Sequence, residues 1–175
     1  MATTHFTRPS LRTSVTPVNT RAVGSVLIAT MAAGVMFGML QMIVEAVIGH
    51  GLWSPLRYIA SVFTSGANTD PGFSLGPVIV GLGGHILNSV ILGVIFAAVV
   101  WKLVHNPIVL AMAGMMWGAL VYVFMWWAVI PTIDPAMKLL NAPWFFVSHL
   151  VFGMVLGLGV VAAQRVSQRQ QPATA

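Results

Sequence analysis

Four apolar runs, nearly free of charge, occupy residues 22–49, 77–104, 107–130 and 143–163. A helix rises about 1.5 Å per residue and a hydrocarbon core is about 30 Å thick, so about 20 apolar residues make one crossing. Within hydrocarbon every backbone N–H and C=O must be paired inside the chain, and a helix does this locally. The pattern predicts an all-α, polytopic membrane protein with four transmembrane helices. Composition agrees: 6% of the 175 residues are charged, against about a quarter in a soluble domain. No cysteine is present, which removes disulfides, thiolate metal sites and cysteine nucleophiles.

The runs divide the chain into a flexible tail (1–21), a four-helix transmembrane domain (22–164) and a polar, frayed tail (165–175). The first apolar run is too long for the core of a signal peptide. An organelle transit peptide would share Arg8, Arg12 and Arg21, but the prolines of the tail oppose the amphipathic helix it needs. His105-Asn106-Pro107 reads as a tight turn, with Asn106 capping the third helix and Pro107 at its first position. Arg8, Arg12, Arg21, Lys102, Arg165 and Arg169 would lie on one side of the membrane, and only Arg57 and Lys138 on the other. That bias places both termini in the cytoplasm. Trp53, Trp126, Trp127 and Trp144 then gather at the outer interface as an aromatic belt. The net charge of +5 beside apolar segments reads as topology and lipid-headgroup contact, not nucleic-acid binding.

The halves resemble each other. Gly34-Val35-Met36-Phe37-Gly38 matches Gly114-Met115-Met116-Trp117-Gly118, and Ser54-Pro55 matches Asp134-Pro135 at the same offset. Each Ser/Asp-Pro pair reads as an N-cap opening a short interfacial helix, over 55–63 and 135–140. His85 with Gly93 then matches His149 with Gly157. These features predict two repeated helical hairpins, 22–104 and 107–164, related by a pseudo-twofold axis along the membrane normal.

Lipid gives helices no hydrophobic reason to associate, so close packing relies on small residues. Gly34/Gly38, Ser89/Gly93, Gly114/Gly118 and Gly153/Gly157 supply one such pair per helix, four residues apart on one face. The polar intramembrane residues continue those faces: Thr30, Gln41 and Glu45 on the first helix, His85 on the second, Tyr122 on the third, His149 on the fourth. His85, His149 and Gln41 lie roughly 7 Å outward of their helix midpoints, with Glu45 about 6 Å higher. Side chains lean toward a helix N-terminus, which brings Glu45 and the two histidines toward one level.

An ionisable group inside a membrane is costly and points to function. His85, His149 and Glu45 form an N/O donor set for zinc, iron or copper, and the two imidazoles alone suit axial ligation of haem b. The plainer readings are interhelical hydrogen bonds for the histidines and, for Glu45, a side chain reaching the interface toward Arg57. His50 and His105 read as solvated. Little beyond Ser25 and Thr30 is polar in the inner half, which opposes a continuous solute path. No phosphate loop, nucleophile elbow or zinc-protease motif occurs.

Gly114 with Gly118-Ala119-Leu120, then Pro131, Pro135, Ala142-Pro143-Trp144 and His149-Leu150-Val151 resemble the YagU-like group of bacterial inner-membrane proteins. The resemblance covers the third and fourth segments and implies a bacterial inner membrane and a two-by-two helix plan. It implies no activity and no catalytic residue. The expectation is a non-enzymatic accessory or scaffold protein, as a homo-oligomer or within a larger membrane complex. The alternatives are a haem- or metal-binding protein and a small transporter subunit.

Overall fold

The computed structural model describes residues 20–64 and 72–169. The expected tails lie largely outside them, at 1–19 and 170–175. The helices are α1 (Thr20–Val47), α2 (Ser54–Ala60), α3 (Leu75–Val100), α4 (Pro107–Phe124), α5 (Ile130–Thr132) and α6 (Ala142–Gln168). A π-helical turn, Met125–Val129, joins α4 to α5, and a 3-10 turn, Pro135–Leu139, precedes α6. Four stretches are long and apolar enough to cross a membrane: α1, α3, Pro107–Thr132 and α6. The fold is all-helical, with no strand among the described residues. Residues 165–168, expected to fray, continue α6.

Asn106 caps α4 as expected, accepting from the N–H groups of Ile108 at 2.9 Å and Val109 at 3.2 Å, with Pro107 in the first turn. The π turn sits just before Pro131. Proline has no N–H to continue the ladder, and the chain widens there to an Ile130 N–H bond to Met125 O.

α6 is the hub. Half of its apolar window is buried, against about a quarter in each other span. It packs along α4 on one side and α1 on the other; α1 in turn packs along α3. The α4–α6 seam is backbone on backbone. A Cβ on Gly114 or Gly153 would collide with the other's carbonyl oxygen, and one on Gly118 with the carbonyl of His149. The α1–α3 seam is looser because side chains fill it: Ser89 lies against Gly34, His85 against Gly38 and Thr30 against Gly93.

The order in space is therefore α3, α1, α6, α4, and the arc does not close. α3 and α4 barely touch; Phe96 and Trp117 meet with ring centroids 6.1 Å apart. A twofold relating the halves would pair α3 with α4 as closely as α1 with α6, and the packing lacks this equivalence. The interfacial segments differ too, one an α-helix and the other a 3-10 turn. Neither carries the expected side-chain cap: the Ser54 hydroxyl donates to Gly51 O, and Asp134 instead accepts from Ser61.

Candidate functional site

Two polar centres lie in the membrane-spanning part. The first gathers around Glu45, which is fully buried. Gly49, with φ of 90°, ends α1 in the left-handed region, and the chain turns back so that His50 N–H bonds Glu45 O at 2.9 Å. The turn places His50 Nδ1 2.7 Å from Glu45 Oε2. The other carboxylate oxygen accepts from Gln41 Nε2 at 2.9 Å and from the backbone N–H of Asn141 at 2.9 Å. Gln41 Oε1 accepts from Ser148 on α6 at 3.1 Å. Asn141 also caps α6, accepting from Trp144 N–H at 3.3 Å. Every strong partner of this carboxylate is thus internal, and the group ties the end of α1 to the start of α6. Nearby Tyr58 is buried, and burial together with the Glu45 carboxylate raises its phenol above the ordinary value, Ser54 acting the other way.

This arrangement corrects two expectations. Glu45 pairs with His50, not Arg57, and His50 is half-exposed but bonded. The reason is the glycine turn, which puts residue 50 back over the helix end. Glu45 also takes no part in a three-residue metal set with His85 and His149. No group of three or more His, Asp or Glu comes together among the described residues.

The second centre is a cleft of about 300 Å³ between α3 and α4, left by the unclosed arc. Phe37, Phe145, His149 and Phe152, from α1 and α6, form its floor. His85, Asn88, Ser89 and Leu92 line one wall, and Val121, Phe124, Met125 and Val129 the other. Ile59 of α2 and Phe63 just after it, with Asp134 and Met137, roof it at the interfacial end. Among the described residues no element crosses the side opposite the floor, and the cleft opens there to the outside of the bundle.

The two histidines meet across Phe37. Its ring centroid lies 5.2 Å from His85 and 4.7 Å from His149, edge-on to the latter. His149 Nδ1 is 2.8 Å from Phe145 O, and His85 Nε2 is 2.8 Å from Gly34 O. A carbonyl oxygen only accepts, so each of these nitrogens carries the hydrogen. The remaining nitrogens, His149 Nε2 and His85 Nδ1, have no hydrogen-bond partner among the described residues, and neither is sealed in the core. Tyr122 stands beside this group, stacked on Trp126 at 5.9 Å and 5.7 Å from the His149 ring.

Asp134, at the roof, accepts from Ser61 Oγ at 3.3 Å, and burial raises its carboxyl from 3.8 to about 6 against the pull of that hydrogen bond. At the opposite end Gln164 donates to Trp101 O at 3.0 Å and Val104 O at 2.8 Å, clamping the α3–α4 turn onto α6. Sequence reasoning placed the histidines, Ser89 and the glycine pairs on inward faces. It missed Phe37, Asn88 and Asp134 as part of this region, and Gln164 as the clamp at the other end. Asn88 beside Ser89 in an apolar run was the available signal for one of them.

Comparison with protein families, with curated proteins and with solved structures returned no match for this chain.

Proposed function

We propose that this is a non-enzymatic accessory protein of a bacterial inner membrane, with both termini cytoplasmic, whose working part is the lipid-facing cleft between α3 and α4. The cleft takes up a small molecule from the bilayer. One observation carries this reading: an open-sided cavity is lined by two histidines, each with one ring nitrogen that has no partner among the described residues. A polar atom that faces an apolar cleft without a partner is costly, and a ligand that pairs it recovers that cost. The lysine and arginine bias supports the orientation, and the resemblance to YagU-like proteins supports the bacterial inner membrane. The repeated sequence features support an origin by duplication even though the packing is asymmetric. The apolar outer faces suit lipid, a second copy or a larger membrane complex.

The test is the set of molecules retained by protein purified in mild detergent. A cleft binder keeps a defined small molecule, and Leu92→Phe, which fills the cavity, releases it. Identical retained material from both proteins counts against the reading.

A second reading, a haem or metal site, is favoured by one detail. His149 donates Nδ1–H to a backbone carbonyl and leaves Nε2 free, as metal-bound histidines do. His85 presents Nδ1 instead, and among the described residues no carboxylate completes a set of three. An optical spectrum and elemental analysis decide it. A Soret band, or iron, copper or zinc near one per chain that is lost in His85→Ala and His149→Ala, would establish the cofactor.

A further inference from the structure

We propose that the cleft between α3 and α4 binds a lipid-soluble hydroquinone, whose two ring hydroxyls donate hydrogen bonds to the free nitrogens of His149 and His85. This rests on reading the cleft as a binding site and adds the chemistry of its occupant.

The polar atoms offered to the cleft are mostly acceptors. His149 is 5% exposed, and its only donor is already spent on Phe145 O. His85 has spent its own on Gly34 O. The Ser89 hydroxyl donates to His85 O at 2.8 Å, so it too presents lone pairs. A ligand must therefore bring donors. A quinone, ketone or ester brings acceptors, and although the amide of Asn88 can serve one of them, both imidazole nitrogens stay unpaired.

Charge narrows the class. Among the described residues neither lysine nor arginine lines the cleft, and Asp134 does. A phosphate or a fatty-acid carboxylate would enter without a counter-charge and face a like one, which a low-dielectric site penalises. A neutral head group suits the site.

Shape narrows it further. Phe37, Phe145 and Phe152 offer aromatic surfaces to a flat ring. A cavity of about 300 Å³ is at the small end for ligand sites and suits one substituted ring. The open side lets an apolar tail lie among lipid chains.

The experiment uses the full chain, freed of co-purified lipid and held in phosphatidylcholine nanodiscs under argon. The probes are a decyl-substituted hydroquinone, its dimethyl ether and the corresponding quinone. Retention is compared with empty nanodiscs. The expected result is hydroquinone binding on the order of tenfold tighter than either control, from two hydrogen bonds to neutral acceptors. His149→Phe should bring hydroquinone down to the level of the dimethyl ether, and Leu92→Phe should weaken all three probes. If the three bind equally and Leu92→Phe weakens them, the cleft is a site but the donor-bearing class is wrong. If none exceeds empty nanodiscs, or Leu92→Phe changes nothing, the cleft reading itself fails. The probe series on the unmodified chain stands even if His149→Phe does not fold.

Discussion

Glu45 and His50 are bonded twice over: the His50 N–H closes on Glu45 O at 2.9 Å, and His50 Nδ1 lies 2.7 Å from Glu45 Oε2. The backbone bond ends α1, and the side-chain bond holds the carboxylate where its other oxygen meets Asn141 at the start of α6. Glu45 is therefore a joint between two spans.

Glu45→Ala removes the acceptor of three donors at once and strands the Asn141 N–H and the Gln41 amide. A loss of roughly 2–4 kcal/mol is expected, since hydrogen bonds to a charged group are the strong ones and buried orphans add to the cost. Unfolding in mild detergent measures it. Glu45→Gln, which keeps an acceptor for Asn141, should lose clearly less, and equal losses would remove the joint from the account.

The α4–α6 seam depends on absent side chains. Gly153→Leu forces a side chain into the carbonyl of Gly114, so α4 must separate from α6. The variant should fail to fold or lose its compact form in detergent. Gly83→Ala, where a Cβ meets nothing within 4 Å, should be neutral by the same measurement.

Asp134 makes stability depend on pH with a definite sign. Its folded pKa is raised from 3.8 to about 6, so the folded chain holds this proton after the unfolded chain has lost it. Stability then falls as pH rises from about 3.8 to about 6 and is level above, as far as this group is concerned. Comparing the unfolding temperature of the unmodified chain with Asp134→Asn across pH 4 to 8 isolates the effect. The variant should lack the drop; superimposable profiles would rule it out.

Gln164 holds the α3–α4 turn by two hydrogen bonds to carbonyls that the end of α3 leaves without helical partners. Gln164→Leu should cost about 1–2 kcal/mol. It should also speed hydrogen exchange at the turn over 101–106. Unchanged exchange there would mean that the turn holds without the clamp.

Much of the fold was legible because membrane helices must satisfy their backbone within single segments, so length and polarity alone identify them. Asn106-Pro107 marked a helix start for the same local reason. The inward faces were legible because glycines four residues apart have no other use along a lipid-facing stripe. What could not be read was which face met which. The offset pairs Gly34/Gly38 and Gly114/Gly118 look equivalent as letters. One packs against the side chains of Ser89 and His85, and the other against bare backbone.

Residue order thus determined four spans, their small-residue faces and the presence of buried polar groups, through rules that act within one helix. The tertiary structure decided how those groups divide. Glu45 went to the His50 turn because Gly49 and Gly51, both at positive φ, carry the chain back over α1. His85 and His149 went to a cleft because α1 packs on α6 while α3 and α4 stay apart. Such choices depend on distances between segments far apart in the chain, and local spacing carries no information about them.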